Sequence, residues 1–245
     1  MLSPGEGPDA ARRGASRCAE PAEQLRRPVG VGGGADRVGA GGAVVGLDLN
    51  QAMLDVAARV RPDLDWRRGD GAALPFGDAS FDLVLCQAAL MFFPDRVQAL
   101  REMARVVRPD GRVAVLVPGR LESGGAYPRL YEVVRRHAGQ DALDMLSAYF
   151  VLGDLDQLTA LCEGAGLRVT ETRTRLGAVR RGSIDEFVAA EVYSTPLGER
   201  LAADVYQRIL AESREALAEY ADGAGAAIPI ESHTVLTRPA GGRRG

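Results

Sequence analysis

Two aspartates lie at the ends of predicted strands, at positions where a carboxylate can reach a ligand. Asp48 comes after the apolar run 44–47, and Asp70 ends the next predicted strand along the chain, residues 65–70. If both segments are parallel strands, the two side chains lie at the carboxyl edge of the sheet, where open α/β sheets bind ligands. The two oxygens of the Asp48 carboxylate match the two vicinal hydroxyls of a ribose. A helix N-cap is the alternative role for Asp48, although Asn50 already suits that position.

Asp70 begins a turn that a planar ligand can approach closely. Its carboxylate can accept a hydrogen bond from an exocyclic amine such as that of adenine, and Gly71 lets a ligand approach the backbone. Aspartate–glycine pairs are also common in ordinary turns, so Asp70 alone leaves both interpretations open. Together with Asp48 on the preceding strand, it favours an adenosine pocket.

A third polar side chain, Gln87, follows a third apolar segment and can reach into the same cleft. Three large apolar residues lie near these polar groups in the sequence: Met53, Phe92 and Phe93. Residues of this kind belong to a core more often than they contact a ligand. Met53 is the best candidate for a ligand contact, because it lies at the beginning of the helix that follows Asp48.

Strands that alternate with amphipathic helices position these groups. The predicted strands are residues 44–47, 65–70, 81–86, 112–117, 167–174 and 228–237. The predicted helices are residues 50–61, 95–107, 128–149, 155–165, 184–193 and 199–220. Strands that are apolar on both faces and alternate with helices specify an α/β fold with a doubly wound, Rossmann-like sheet. The long helical insertion before the last strand predicts a cap over one end of the sheet.

Composition and charge exclude several classes of function. The net charge is −3 and the arginine pairs are interspersed with acids, so no face for nucleic acid is expected. Cys18, Cys86 and Cys162 have no metal-ligand spacing, which predicts free thiols in a reducing compartment and no metal site. No apolar run approaches the roughly 18 residues that a membrane span needs, which favours a cytoplasmic protein without a membrane partner.

No single residue stands out as a catalyst. The two histidines, His137 in a basic helix and His233 in the last predicted strand, suit structural roles. Tyr127, Tyr131 and Tyr149 fall in the predicted cap and can line an acceptor pocket, although packing is the commoner role for a tyrosine in such a place. The catalytic residue and the oligomeric state stay open.

Five runs of residues keep an order and spacing that are typical of one enzyme family. They are residues 44–54 (VVGLDLNQAML), 69–76 (GDGAALPF), 81–87 (FDLVLCQ), 92–95 (FFPD) and 100–113 (LREMARVVRPDGRV). In these runs the chain resembles the class I S-adenosylmethionine-dependent methyltransferases. Within that family it is similar to the methyltransferase type 11 branch, which includes the ubiquinone/menaquinone C-methyltransferases. The resemblance is strong over residues 43–118 and looser over 119–245.

The resemblance implies S-adenosylmethionine as the cofactor and a small molecule as the methyl acceptor. By it, Asp48 holds the ribose, Met53 packs on adenine, the turn 70–72 binds the adenine edge, and Gln87 faces the methionine moiety and the substrate. The full set of expected cofactor-binding residues is Asp48, Leu49, Met53, Asp70, Gly71, Ala72 and Gln87.

The same resemblance implies how the chain is arranged. It predicts a seven-stranded sheet whose last strand, 228–237, is antiparallel, within a methyltransferase domain of residues 35–245. Helical cap insertions are expected at about 119–150 and 183–222. Residues 1–34 are set apart as a disordered or misframed segment.

The chain departs from the family in front of Asp48. The family has a strand that ends in an acid and a Gly-x-Gly loop about 20 residues earlier, whereas residues 25–28 (LRRP) contain neither an apolar strand nor a glycine. Gly, Arg, Ala and Pro occupy 21 of the first 34 positions, and glycines within 30–34 fall where a helix is expected. We hypothesise a shifted reading frame or a wrong start. Sequencing the locus tests this: Asp-x-Gly-x-Gly in another frame upstream supports it, and an unbroken frame without that motif contradicts it.

Two other classes of protein stay open. Residues 30–35 (GVGGGA) fit a degenerate Gly-x-Gly-x-x-Ala motif with Asp48 downstream, as in NAD(P)-binding oxidoreductases. That interpretation lacks the strand that should precede the motif, and it leaves the run 69–76 unexplained. The other alternative is a methyltransferase-like protein that is catalytically impaired because its first motif is missing.

Overall fold

The computed structural model of the chain describes Val38, residues 42–193 and residues 195–241. The strands are β1 (Val45–Asp48), β2 (Asp65–Arg68), β3 (Phe81–Gln87), β4 (Val107–Pro118), β5 (Leu167–Arg181), β6 (Ala221–Asp222) and β7 (Gly225–Pro239). The helices are α1 (Gln51–Val60), α2 (Arg96–Val106), α3 (Ala126–Ala138), α4 (Gln140–Ser147), α5 (Leu155–Gly164), α6 (Ile184–Tyr193), α7 (Leu197–Arg200) and α8 (Ala203–Ala216). Short 3₁₀ turns lie at Leu90–Phe92, Leu121–Ser123, Ala148–Phe150 and Ala218–Tyr220.

The larger sheet has the strand order β3-β4-β7-β5, and β6 pairs with β7. β4 is parallel to β3, whereas β7 runs antiparallel to both of its neighbours, β4 and β5. The predicted α/β fold, with a mostly parallel sheet and an antiparallel last strand, is therefore confirmed. β1 and β2 form a separate parallel pair. The expectation of one seven-stranded sheet is wrong for the described residues, because none of their strands joins β1 to β3 by hydrogen bonds.

Helices α1, α2 and α5 each begin at a side chain that accepts a hydrogen bond from a backbone N–H of the first turn. The capping side chains, each with the residue whose N–H it accepts, are Asn50 with Ala52, Asp95 with Gln98, and Asp154 with Gln157. Such a cap stabilises a helix by about 1 kcal/mol, because it satisfies a donor that has no partner inside the helix. The predicted caps Asn50 and Asp154 are confirmed.

Two of the predicted helices are each divided into two helices in the structure. The predicted helix 128–149 is divided at Gly139, whose φ of +87° favours glycine and separates α3 from α4. The predicted helix 199–220 is divided by Leu201 and Ala202, which have an extended backbone between α7 and α8.

β5 and β7 continue beyond the sheet as a two-stranded ribbon. β4 pairs with β7 only from Thr237 to Ser232, whereas β5 pairs with β7 as far as Ala226. The prediction ended β5 at Thr174, but this pairing carries the strand on to Arg181. Local sequence could not reveal the extension, because its partner strand is distant in the chain.

The buried side chains form two clusters, one at the sheet and one in the cap. The sheet cluster includes Val84 of β3 and Leu100 of α2. The cap cluster joins α3, α6 and α8 to the ribbon and includes Tyr127 and Ile228. Of the partly buried apolar side chains described, only Tyr149 packs against both clusters, and it therefore marks the seam between sheet and cap. The helical cap that the fold prediction included is present.

Replacing Phe187, a fully buried residue of α6, with alanine tests the packing of the cap. The ring of Phe187 packs edge-on against Tyr127, with ring centroids 5.4 Å apart. We expect Phe187→Ala to lower the free energy of unfolding by about 3–5 kcal/mol, because it leaves a cavity. The control Leu176→Ala, on the ribbon where the side chain is 72% exposed, should change that free energy by less than about 0.5 kcal/mol. Urea unfolding measures both, and equally small effects would contradict the described packing.

Candidate active site

The loops that follow β1, β2 and β3 contact one another at the carboxyl edge of these strands. β1 and β2 are in register so that Asp48 pairs with Arg68, and the Gly69 N–H donates to the Asp48 carbonyl over 3.1 Å. Gly71 packs against the ring of Phe93, which belongs to the loop after β3. The structure therefore brings the three loops together at one edge, and this edge carries all the expected cofactor-binding residues.

Asp48 ends β1 with its side chain half-buried. Its Oδ1 atom accepts a hydrogen bond from the Asn50 backbone N–H over 2.9 Å, which orients the carboxylate at the beginning of α1. The N-cap of α1 is Asn50, so the alternative role for Asp48 is taken by another residue. The apolar side chains that follow remain on the surface: Leu49 is 63% exposed and Met53 is 46% exposed. Met53 is therefore not a core residue, and Asp48 is followed by exposed apolar surface.

Asp70 and the residues after it form a tight turn. The Ala72 N–H donates to Asp70 Oδ1 over 2.8 Å, and the Ala73 N–H donates to the Asp70 carbonyl over 3.1 Å. The Ala72 N–H is thus used inside the turn, whereas the Asp70 side chain is exposed. The carboxylate of Asp70, rather than the Ala72 N–H, is the group of this turn that is open to a ligand.

The glycine at position 71 is explained by packing. A Cβ atom at Gly71 would lie 2.6 Å from the Phe93 ring, so a side chain here would displace that ring. The Phe93 ring is thus one group that approaches the backbone at Gly71, and the close approach of a ligand there stays a prediction. The contact fixes the turn 70–72 against the loop after β3.

Gln87 ends β3 with its amide oxygen turned inward. The Oε1 atom is buried and accepts no hydrogen bond from any described residue. The next residue, Ala88, has a φ of +49°, and its N–H donates to the Leu116 carbonyl over 2.8 Å. A left-handed backbone at a residue other than glycine costs about 1–3 kcal/mol and persists only where neighbouring contacts hold it. β3 therefore ends in a strained turn and a buried acceptor without a described partner, which is typical of a functional edge.

The loop after β2 is held on α2 by a partly buried ion pair. Arg105 donates from Nε to Glu102 Oε1 over 2.7 Å and from Nη2 to Glu102 Oε2 over 2.6 Å. The same guanidinium donates to the carbonyls of Leu74, over 3.1 Å, and Phe76, over 2.8 Å. Glu102 Oε2 also accepts from the Leu74 N–H over 2.9 Å, and Asp78 accepts from Arg105 over 2.8 Å.

Each residue of this ion pair stabilises the charged form of the other. The hydrogen bonds from Arg105 lower the pKa of Glu102, and those to Glu102 and Asp78 raise the pKa of Arg105. The Glu102 side chain is only 13% exposed, so solvent screens the pair weakly. Sequence reasoning missed both residues, because an acid and an arginine three positions apart on a helix are typical of an exposed surface pair.

The three cap tyrosines surround a carboxyl group that sequence reasoning also missed. Tyr127 and Tyr131 are buried on α3, and the Tyr131 hydroxyl lies 3.5 Å from Glu191 Oε2 on α6. Burial raises the pKa of Glu191 to about 7 and outweighs the opposing effect of the Arg181 charge. Burial also raises the pKa of Tyr149 to about 12 and the pKa values of the other two tyrosines still further.

The two histidines have structural partners. His137 Nε2 lies 2.6 Å from a carboxylate oxygen of Glu212 on α8. His233 is buried, its Nε2 atom lies 3.1 Å from the Gly153 carbonyl, and its Nδ1 atom lies 2.8 Å from the Thr174 hydroxyl. Because a carbonyl can only accept, the ring proton is on Nε2 and the hydroxyl donates to Nδ1. Both nitrogens of His233 are thus used within the fold.

Cys86 and Cys162 are buried free thiols, as predicted, and Cys18 lies outside the described residues. Burial raises the pKa of the Cys162 thiol to about 12, which makes it unreactive. In the part of the chain that the structure describes, no group of three or more histidine, cysteine, aspartate or glutamate side chains could hold a metal ion. None of the described helices combines the length and the apolar character that crossing a membrane takes.

Comparison with known proteins identifies the segment that contains this edge. Residues 28–115 match the model of a family described as "Methyltransferase domain". A demethylmenaquinone methyltransferase from Lactobacillus johnsonii is 41% identical over 88 residues, which are 34% of this chain and 36% of that protein. This segment belongs to the methyltransferase domain family. All the expected cofactor-binding residues lie in the methyltransferase segment, and the match does not favour the NAD(P)-binding alternative.

A second relative agrees with the assignment of the methyltransferase segment, and a solved structure shares the fold of the chain. A 2-phytyl-1,4-naphthoquinone methyltransferase from Synechococcus elongatus is 41% identical over 85 residues, which are 32% of this chain and 36% of that protein. The chain thus covers 36% of the length of each of these two relatives. The YcgJ protein of Bacillus subtilis has a similar fold, with a TM-score of 0.54 at 20% identity, over 82% of this chain and 83% of that chain.

Replacing Arg105 tests whether the ion pair fixes the loop after β2. We expect Arg105→Ala to lower the free energy of unfolding by about 1–3 kcal/mol, because it leaves the partly buried Glu102 carboxylate without its hydrogen-bond donors. Arg101 is exposed on the same helix, so Arg101→Ala is a matched control that should change this free energy by less than about 0.5 kcal/mol. Urea unfolding measures both variants. Equal stabilities of the two variants would show that the ion pair does not hold the loop.

The same ion pair makes stability depend on pH. The folded pKa of Glu102 lies below the ordinary value of 4.5, so its contribution to stability is present above pH 4.5 and is lost as the pH falls through the folded pKa. We expect wild type to exceed Glu102→Gln in free energy of unfolding at neutral pH, and the difference to shrink as the pH falls below 4.5. Urea unfolding at a series of pH values measures the difference, and a constant difference contradicts the prediction.

Proposed function

We propose that the chain transfers a methyl group from S-adenosylmethionine to a small-molecule acceptor. The observation that carries the proposal is the edge formed by the loops after β1, β2 and β3. The segment that matches the methyltransferase family contains the whole of this edge. Ligands of open α/β sheets bind at such edges, which supports the same location for the cofactor.

The residues at this edge fit the adenosine part of the cofactor. The Asp48 carboxylate can accept hydrogen bonds from both ribose hydroxyls, and the exposed side chains of Leu49 and Met53 offer apolar surface for the adenine ring. The exposed Asp70 carboxylate can accept from the adenine amino group, with the turn 70–72 held in place by Phe93. When bound, the cofactor supplies a methyl group on a positively charged sulfur.

Gln87 is the residue that fits the methionine part of the cofactor. A buried acceptor without a hydrogen-bond donor destabilises a protein by about 1–3 kcal/mol. The Oε1 atom of Gln87 has no donor within the described part of the chain, and the ammonium group of a methionine moiety can supply one. Gln87 is the last residue of β3, at the same edge as the two adenosine loops, which supports this contact.

The chain contributes to the reaction mainly by positioning the methyl donor and the methyl acceptor. Displacement at a sulfonium leaves a neutral sulfur, so holding donor and acceptor in line and excluding water provide most of the rate gain. A base is required only where the acceptor must lose a proton. The cap fits the task of covering the acceptor, because the ring of Phe92, which follows β3, lies against Tyr149 at the seam, with ring centroids 6.2 Å apart.

We infer an aromatic acceptor of the quinone class. The two curated relatives are named as methyltransferases of demethylmenaquinone and of a phytylnaphthoquinone. In this chain the side chain of Phe92 is 57% exposed, and with Tyr149 it forms an aromatic surface between the cofactor edge and the cap. Aromatic side chains favour flat aromatic ligands through stacked and edge-on contacts.

Replacing Asp48 tests the proposed cofactor site. Calorimetric titration of wild type with S-adenosylmethionine should show micromolar binding, and Asp48→Ala should weaken it at least about tenfold, because two hydrogen bonds to a charged group are lost. Asp55→Ala is the matched control: Asp55 is exposed on α1 and accepts only from the nearby Gln51 side chain in the described contacts. This control should bind as wild type does.

Titration with NAD in parallel separates the alternatives. Binding of NAD instead of S-adenosylmethionine would overturn the proposal in favour of an oxidoreductase. Absence of binding of either compound by a folded sample would overturn it in favour of an impaired methyltransferase-like protein. The first family motif is the feature on which that second outcome depends, and its expected position lies outside the described residues.

A further inference from the structure

Helix α1 has a second row of apolar side chains, which the described fold leaves exposed. Leu54 and Ala57 form the buried face of the helix, which packs against β1 and β2. Met53, Val56 and Val60 are each 46% exposed. They are spaced three and four residues apart, so their side chains lie in one row along the helix. α1 is therefore apolar on two faces, and the described fold uses one of them.

The exposed row is not needed to hold the helix in place. A helix on a protein surface normally has one apolar stripe toward the core and polar residues on the opposite face. Single exposed apolar side chains are common, whereas several that lie together indicate a contact surface. Spacings of three and four residues are those of the a and d positions of a coiled coil, at which a second helix packs. The row is therefore typical of a surface that binds a helix.

The helix that matches this row in the described chain is α1 of another copy. Among the described helices α1 to α8, α1 alone has more than one large apolar side chain that is exposed, and α6 has one, Tyr193. Symmetric dimers use the same surface on both copies, so each copy must offer a surface that is complementary to itself. An apolar row meets this condition, and a second copy is the partner that it fits.

The charges beside the row favour an antiparallel arrangement of the two helices. Asp55 and Arg59 are exposed on α1, and the helical repeat places them beside the row on the side away from Ala57. In a symmetric parallel pair each of them would lie level with the same residue of the other copy, so like charges would meet. In an antiparallel pair with Val56 level with Val60 of the other copy, Asp55 lies about 3 Å along the axis from the opposite Arg59. Opposite charges then meet on both sides of the contact.

We propose that two copies of the chain associate through α1, with the helices antiparallel and Val56 of each copy packed against Val60 of the other. Two helices of 10 residues bury a small surface, so the dimer is weak, with a dissociation constant of about 10–100 µM. Leu49 and Met53, near the beginning of the helix, remain available to the proposed cofactor site. The inference concerns a different surface from that site and does not depend on the proposed function.

Sedimentation equilibrium of the full chain at about 1–300 µM tests the inference. Wild type should change from one to two chains per particle over this range, without forming larger particles. Val56→Glu should weaken the association at least about tenfold, because it places a carboxylate without a partner in the contact. Leu176→Glu introduces the same charge at an exposed apolar residue of the ribbon and should associate as wild type does. Val60→Glu is the second variant if Val56→Glu does not fold.

Exchanging the two charges tests the orientation of the helices. Arg59→Glu alone should weaken the dimer about fivefold, because it brings two acidic side chains together on both sides of the contact. The double variant Asp55→Arg, Arg59→Glu should associate as wild type does, because opposite charges meet again. Both variants change exposed side chains, so a loss of folding does not account for a weaker dimer that the second exchange restores.

Four results would overturn the inference. Wild type would remain a single chain up to about 300 µM, or its association would survive in both Val56→Glu and Val60→Glu and so use another surface. In the third, the charge exchange does not restore association, which contradicts the antiparallel contact. In the fourth, wild type is a single chain and Val56→Glu unfolds at a clearly lower urea concentration than Leu176→Glu, which shows that another segment of the same chain covers the row.

Discussion

The guanidinium group of Arg105 holds the loop after β2 in the position from which the proposed cofactor site is built. It joins α2, which packs under the sheet, to the backbone of Leu74 and Phe76, and Glu102 completes the connection through the Leu74 N–H. The turn 70–72 lies just before this anchored segment and is fixed on its other side by the Phe93 ring. Both supports come from elements that follow the turn in sequence. The position of Asp70 therefore depends on α2 and on the loop after β3 as well as on β2.

The strands and caps near the proposed site could be predicted because their signals are local. β1 and β3 are short, contain mostly apolar residues and end in a polar residue, and Asn50 and Asp154 cap their helices as their positions suggest. Asp48 and Gln87 could be chosen for the same reason, since the end of an apolar strand is visible in the sequence and the carboxyl edge follows from parallel pairing.

The features that could not be predicted depend on contacts between distant parts of the chain. The length of β5 is set by β7, and the contact of Gly71 with the Phe93 ring joins two loops that are distant in the sequence. Arg105 looks like an exposed arginine on a helix, and Glu191 like an ordinary polar residue of an amphipathic helix. Whether a charged side chain is a solvated surface group or a buried partner depends on the surface that packs over it, which one helix does not determine.

The central place of β7 has a consequence for the way the protein reaches its native state. This strand lies between β4 and β5, yet it is the last of the described strands to leave the ribosome. During synthesis, β4 and β5 must stay apart with their inner edges unpaired until residues 225–239 arrive, and the ribbon that supports the cap cannot form earlier. Exposed strand edges of this kind are prone to pair with other chains. The larger sheet and the ribbon can therefore be completed only after this strand has been synthesised.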